Sequence, residues 1–425
     1  MISRLGKSAA QTVRDYSVRI RSFTPNARLY LMYVVFSGLS MGVFRLLFNF
    51  YVLSLGFDEA LVGRLVTTSS LTSLLAALPA GYLADVLGRK RSLFFGGLLV
   101  SLSIFGMFFF PYEGAFYVFN VLSGIAQSIM AITMSPFLME NSGEKERTYL
   151  FSLGHGLQML SAFAGNWVGG YLPSWFGLWN NVSSTDSVAY GYSVATVALM
   201  FSLSLIPLLF LRRNRIVGEA RSVFAPIKYA LEKPALLGKL VVPLLITSIG
   251  AGLVMPFMNV FFRVEHHQPD PVIGTLFAWG SLAMGVGLLA APVLAERYGK
   301  IQVVVVSQAL SVPFLILLGF SPWFWLSAAA YYVRLTLMNL SNPVYQTFVM
   351  ESVEPEARAT VASLTTMAWN FGWAFSPTVS GELQIAYGFG PSFIGTITFY
   401  TVAIFLYWYF FWRNKPDQKP SPAGS

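Results

Sequence analysis

The chain has 425 residues, 55% of them hydrophobic and 16% aromatic but only 11% charged, less than half the charged share of about 25% in soluble domains. That composition excludes a large soluble enzyme, and the absence of cysteine excludes a disulfide framework, a thiolate metal site and a cysteine nucleophile. The net charge of +9 would suit a nucleic-acid binder, so its distribution along the chain matters.

Residues 1–28 are polar and basic, with Arg4, Lys7, Arg14, Arg19, Arg21 and Arg28. The apolar run that follows starts near Leu29 and is about twice as long as a signal-peptide core of about 7–15 residues. The segment therefore reads as an uncleaved basic arm, either lying on a membrane surface as a helix or disordered. Apolar runs then recur, each long enough to cross a hydrocarbon core of about 30 Å as a helix. The strict alternation of barrel strands about ten residues long is absent.

Six spans are expected near 29–56, 60–84, 92–112, 114–139, 148–175 and 189–211, and six more near 240–262, 272–296, 301–320, 322–350, 358–387 and 391–412. Turn-forming clusters mark the breaks, among them FDEA at 57–60, PYEG at 111–114, SPW at 321–323 and GFGPS at 388–392. The expected organisation is a basic arm at 1–28, a six-helix bundle at 29–211, a basic linker at 212–239, a second six-helix bundle at 240–412 and a tail at 413–425.

With the N-terminus placed inside, 24 of the 28 Lys and Arg residues fall on the inner face. Arg64 and Arg263 lie on the outer face, and Arg45 and Arg334 lie within spans. Such a bias is the positive-inside signature of membrane topology. The charge thus orients the chain rather than binding nucleic acid, and both termini are expected in the cytoplasm of a bacterial-type plasma (inner) membrane.

The second span ends in GYLADVLGRKR at 81–91, directly after the nearly uncharged run LVTTSSLTSLLAALPAGYLA. PVLAERYGK at 292–300 closes the eighth span in the same manner. Asp85 and Glu296 lie 211 positions apart (296 − 85), as do Gly88 and Gly299, and Arg89 and Lys300. Glu140 and Arg147 match Glu351 and Arg358 at that offset, as do Ser152-Leu153 and Ser363-Leu364, and Gly170 and Gly381. With one residue less, Gly42 and Asn49 match Gly252 and Asn259. An ordered set of matches at one offset signals duplication. Because each copy holds an even number of spans, the copies are parallel repeats related by an axis along the membrane normal.

These residues resemble the major facilitator superfamily, whose signature between helices 2 and 3 is G-x-x-x-D-x-x-G-R-[R/K]. It stands complete here as Gly81, Asp85, Gly88, Arg89 and Lys90, with Arg91 adding charge. The second copy departs from it, with Pro292, Glu296 and Lys300 in place of the first glycine, the acid and the arginine. The resemblance implies an all-α integral membrane protein of twelve transmembrane helices in two six-helix repeats, acting as a secondary transporter by alternating access.

Glycines permit a tight loop and close helix approach, and Asp85 at a helix end can pair with basic residues or a neighbouring helix N-terminus. Gly81, Asp85, Gly88, Arg89, Lys90, Glu296, Gly299 and Lys300 are therefore expected to form a conformational latch, the plainer alternative being a topology anchor. Glu140 with Arg147 and Glu351 with Arg358 are expected as companion charge pairs, or as solvated surface. The fifth span, GHGLQMLSAFAGNWVGGYLP, is glycine-rich like the antiporter signature of the family's drug exporters. It lacks the Gly-Pro pair of that signature, and close packing accounts for its glycines.

The resemblance implies that helices 1, 4, 7 and 10 line the pathway. Arg45 and Asn49 lie one turn apart on the first, and the fourth offers Asn120, Ser123 and Gln127. The seventh offers Asn259 beside Pro256, whose ring disturbs the helix. The tenth carries Arg334 with Met338 and Asn342 on one face and Tyr331 above. An ionised side chain at mid-membrane costs about 2.5–3.5 kcal/mol even on lenient scales, so Arg45 and Arg334 are expected to face a cavity and a partner. No carboxylate lies at mid-membrane in the sequence to serve as that partner. A substrate carboxylate, phosphate or sulfate would, gripped bidentately by guanidinium. Arg45, Asn49, Gln127, Asn259, Arg334 and Asn342 are thus the candidate substrate-binding residues, the alternative for the arginines being backbone carbonyls or amides such as Asn49 and Asn342.

His155 and Glu382 are candidate proton carriers, with hydrogen-bonded packing the alternative for His155. His266 and His267 beside Glu265 and Asp270 have poor chelating geometry, so no metal is expected. GxxxxGK[ST] is absent, so no nucleotide or other cofactor is expected. The expected partners are a small, anionic substrate and the lipid bilayer, with no nucleic acid, and the chain is expected as a monomer. The alternatives are a multidrug/proton antiporter and, from another class, a membrane-embedded lipid-acting enzyme or a transport-dead receptor. The latter two would call for clustered catalytic groups or an added cytoplasmic domain.

Overall fold

The computed structural model describes residues 23–212, 232–354 and 357–413, and among them the chain is helical with no strand. The first half forms α1 (Pro25–Ser54), α2 (Glu59–Leu87), α3 (Arg89–Phe109), α4 (Glu113–Glu140), α5 (Glu144–Asn180) and α6 (Ser187–Ser204), with a short turn at Ile206–Leu209. The second forms α7 (Pro234–Val254), α8 (Asp270–Tyr298), α9 (Lys300–Phe320), α10 (Phe324–Glu351), α11 (Arg358–Trp373) and α12 (Gly390–Tyr407). Three of these continue past an interruption: α7 as Met258–Val264, α11 as Ser376–Tyr387 and α12 as a π turn at Trp408–Arg413. Every expected span corresponds to one of these helices.

Local chemistry sets the boundaries. Thr24 caps α1 by accepting from the Ala27 N–H, Asp58 caps α2 through the Leu61 N–H and Asp186 caps α6 through the Val188 N–H. Each thereby satisfies a donor that the first helical turn leaves free. Gly88 and Gly299, at φ of 82° and 89°, turn the chain between α2 and α3 and between α8 and α9. Only glycine adopts that region without strain, which explains why both copies of the motif keep this residue. Pro256 lies in a 3₁₀ turn at Met255–Phe257 that interrupts α7, as a missing N–H and a ring clash require.

Nine helices among the described residues are long and apolar enough to cross a membrane. The α5, α10 and α11 segments fall short because they carry polar groups or a break. Arg334, Asn339 and Asn342 interrupt α10, and α11 parts at Ala374 and Phe375. Large apolar side chains lie exposed along the helices, such as Leu75 at 69% and Phe405 at 56%. Such a surface suits acyl chains and would aggregate in water.

The chain forms two compact units, Met1–Arg221 with Phe262–Leu282, and Ser222–Phe261 with Ala283–Ser425. Within the first, α1 packs on α5 and α6, and α3 on α4 and α6. Within the second, α7 packs on α11 and α12, and α9 on α10 and α12. Adding six to each helix number of the first set gives the second, so the internal repeat appears in the packing as well as in the sequence. Gly42 illustrates it: a Cβ there would lie 2.9 Å from the Ala162 carbonyl oxygen of α5, and one at Gly252 would lie 2.9 Å from Ser376 Cβ in the continuation of α11. These matched glycines let the repeated helix pair approach closely.

Candidate functional site

The motif residues lie at two helix junctions. Between α2 and α3, Arg89 Nε lies 3.2 Å from Glu140 Oε1, and Lys90 Nζ donates to the Leu209 carbonyl at 2.6 Å. Ser92 donates its hydroxyl to the Gly88 carbonyl at 3.1 Å, and Gly81 lies within α2 about two turns before Gly88. Between α8 and α9, Lys300 pairs with Glu351, and Glu296 is exposed near the end of α8. The motif cations therefore meet the acids at the ends of α4 and α10. The expected Glu351–Arg358 pair gives way to Lys300–Glu351, and Arg358 Nε instead donates to the Met350 carbonyl at 2.9 Å. Helix ends brought together in space override closeness in sequence. The side chains of Asp85 and Arg147 lie outside the described residues.

In the first unit Arg45 is exposed on α1, with no hydrogen bond or ion pair among the described residues. Asn49, one turn on, is buried. On α4 the exposed Gln127 donates to Ser123 Oγ at 3.1 Å and to Ser69 Oγ of α2 at 3.3 Å. Asn120, buried one turn below Ser123, donates to the Phe116 carbonyl at 2.8 Å. His155 on α5 is exposed. The glycines of α5 pack on α1: a Cβ at Gly165 would lie 2.2 Å from the Leu39 carbonyl oxygen.

In the second unit Arg334 of α10 is 1% exposed. Its Nη2 donates to the Tyr400 hydroxyl of α12 at 3.1 Å, and Nη1 lies 3.4 Å from Met255 Sδ in the break of α7. Its Nε is buried with no acceptor. Asn259 is buried beside the same break, whereas Asn342 is exposed on α10 and Glu382 is exposed in the continuation of α11. The tyrosine that holds Arg334 was invisible to a reading confined to four lining helices, because it comes from α12.

The first unit also contains a polar network built around Arg263, which is expected on the outer face. Asp270, at the start of α8, is 6% exposed. It pairs with Arg263 in the continuation of α7 and accepts from the Tyr190 hydroxyl of α6 at 2.5 Å. Arg263 donates to the same hydroxyl at 2.5 Å, and its guanidinium lies 3.3 Å from the Phe50 ring centroid of α1, a cation–π contact. The sequence signal was an opposite charge pair bracketing a short loop, which could have been read as a closure. Nearby, Asn166 of α5 donates to Ser281 Oγ of α8 at 3.3 Å. Gly170 and Gly274 touch backbone to backbone: a Cβ at Gly274 would lie 2.8 Å from Gly170 Cα. His266 and His267 join no cluster of three metal-ligating side chains among the described residues.

The comparisons agree with this architecture. The protein-family model described as Major Facilitator Superfamily matches residues 30–267 and 240–425. An uncharacterized MFS-type transporter of Bacillus subtilis (strain 168), YceJ, is 21% identical over 356 residues, covering 81% of this chain and 85% of its own. A point mutant of the nucleoside transporter NupG superposes at a TM-score of 0.77 with 15% identity, over 91% of this chain and 100% of that one. A bacterial homologue of the human lysosomal transporter Spinster, inward-facing and occupied, reaches 0.73 with 14% identity, over 94% and 100%. The human organic anion transporter MFSD10 gives 0.59 with 15% identity, over 90% and 99%. Twelve helices in two repeats, a complete signature at the α2–α3 turn and a family match over nearly the whole length establish that this chain is a membrane transporter belonging to the Major Facilitator Superfamily.

Proposed function

We propose that the chain is a secondary transporter that carries a small organic or amphipathic anion by alternating access, in a plasma (inner) membrane with both termini cytoplasmic. The observation that carries the anion reading is Arg45: a guanidinium in the middle of an apolar helix, exposed and unpaired among the described residues. A lone charge at that depth is kept where it has a function, and an anion supplies the missing partner. Arg334 is the second cation of the reading, with a buried Nε still open to an acceptor. Asn49, Gln127, Asn259 and Asn342 are proposed to orient the ligand, and His155 and Glu382 to carry protons if transport is concentrative. The orientation rests on the 24 of 28 basic residues that share one face when the N-terminus is inside.

The structural neighbours are named for nucleosides, for a lysosomal transporter and for organic anions, so the shared fold leaves the cargo to the side chains. The test is a thermal-shift screen of the purified chain against anions, cations and lipids, followed by counterflow in proteoliposomes with the best binder. Stabilisation by anions that disappears in Arg45→Ala supports the reading. Stabilisation by lipophilic cations, undiminished in Arg45→Ala and Arg334→Ala, would replace it with multidrug export.

A further inference from the structure

We propose that the cavity at the α2–α3 junction binds the phosphate of an anionic lipid headgroup. Among the described residues, this cavity of about 210 Å³ is lined by four cations, Arg89, Lys90, Arg91 and Arg212, and by one acid, Glu140. Arg89 and Glu140 neutralise one another at 3.2 Å. Lys90 meets a carbonyl, that of Leu209, and no carboxylate among the described residues. The guanidinium groups of Arg91 and Arg212 have no hydrogen-bond or ion-pair partner among the described residues. Among the described residues, three positive charges thus converge on one concave site without a counter-charge, and a group that suits them is anionic and rich in acceptors. A phosphodiester fits, because guanidinium binds two of its oxygens at once.

The surroundings favour a lipid over a free ion. Leu87 and Phe137 line the cavity, and its flanks carry exposed apolar side chains, Val86 at 60%, Leu209 at 52% and Phe210 at 69%. In a chain that spans a membrane these face acyl chains, so a headgroup seated in the cavity leaves its tails along Val86 and Phe210. A basic pocket between transmembrane helices is a recognised kind of headgroup site. The uncompensated charge also selects among lipids. A choline headgroup brings its own cation against Arg91 and Arg212, whereas phosphatidylglycerol brings none. The lipid lies beside the Arg89–Glu140 pair and so braces the turn that holds the signature motif.

Native mass spectrometry of the purified full chain tests this, with phosphatidylglycerol, phosphatidylcholine and inorganic phosphate as probes. Wild type should keep one phosphatidylglycerol through delipidation and no phosphatidylcholine. Each of Arg91→Gln and Arg212→Gln should weaken retention about fivefold, and a triple variant with Lys90→Gln about a hundredfold, at about one such factor per cation near the surface. Arg297→Gln removes an equal charge elsewhere and should retain the lipid as wild type does. The single variants keep most of the basic loop, so insertion is preserved even if the triple variant fails to fold. Equal retention of the two lipids, or equal retention by wild type and both single variants, overturns the proposal. Displacement of the lipid by millimolar inorganic phosphate overturns the lipid assignment in favour of a free anion. No transport substrate is present, so the result stands apart from the reading of Arg45.

Discussion

Arg89 and Glu140 are 51 residues apart in sequence and 3.2 Å apart in space, and Lys300 and Glu351 repeat that pairing at the same separation of 51. The duplication thus preserved a salt bridge as a unit while one arginine became a lysine. Both partners of the first pair are only partly exposed, 22% and 16%, yet they sit where water and headgroups screen them. An interaction of about 1 kcal/mol is therefore expected. A double-mutant cycle of Arg89→Gln and Glu140→Gln, read by thermal unfolding, should return a coupling of about that size. Transport should slow in Glu140→Gln while substrate affinity stays within a few fold, because the pair lies at a helix end. Zero coupling with normal transport would make the pair a bystander.

Arg45 should matter for affinity in a graded way. Removing it in Arg45→Ala is expected to weaken anion binding by about 1.5–3 kcal/mol, the usual worth of a hydrogen bond to a charged partner. Arg45→Lys keeps the charge but loses the planar fork, and should recover only part of the loss. Asn49→Ala and Asn259→Ala should cost less than either. Isothermal titration with the anion found by screening decides this, and full affinity in Arg45→Ala would remove the residue from the site.

Asp270 is the residue whose neutralisation should destabilise most. In Asp270→Asn the partly buried Arg263 keeps its place over Phe50 but loses its carboxylate, a situation that costs about 3–5 kcal/mol in buried pairs. Tyr190→Phe removes only one hydrogen bond and should cost about 1 kcal/mol. Arg263→Gln combined with Asp270→Asn should recover part of the loss, since no charge is then left without its counterpart. Thermal midpoints in detergent, ordered otherwise, would show that the network is held by packing rather than charge.

The loop before α8 should respond to acid. Burial lowers the pKa of His266 below its ordinary 6.5, with Glu265 opposing the shift and His267 adding to it. A folded-state value below the unfolded one means that the native state binds the proton less readily. Stability is then full above 6.5 and falls as the pH drops through the folded value. Unfolding midpoints of wild type and His266→Gln, measured at about pH 8 and about pH 5, should diverge, the variant losing less on acidification. Parallel losses would place the acid sensitivity elsewhere.

The helices were legible because a membrane forces each span into a long apolar run, and the turn glycines because two copies kept Gly88 and Gly299 in register. The pairing of charges was less legible. Glu351 has Arg358 close by in sequence, yet α9 brings Lys300 to it, since neighbouring helix ends meet whatever the intervening length. Arg334 showed the same limit. Its position in an apolar span announced a buried cation, but its tether, Tyr400, lies on α12, outside the four helices that the resemblance implied as lining. Asp270 follows the polar stretch EHHQP in the sequence, yet it is buried. Its burial comes from Tyr190, 80 residues earlier. Composition reveals which residues must be buried or paired, and only the packing reveals with whom.

The contact of Gly170 with Gly274 has a consequence of its own. Two backbones that touch with no side chain between them hold each other by dispersion, and a gap of about 0.5–1 Å already forfeits about a quarter to a half of that attraction. The seating of Phe262–Leu282 against α5 therefore depends on keeping this spacing. A single added methyl, in Gly274→Ala, would act as a wedge with 2.6 Å to the Asn166 carbonyl oxygen. A hydrogen to methyl exchange at this one point turns a contact that closes like a catch into one that cannot close.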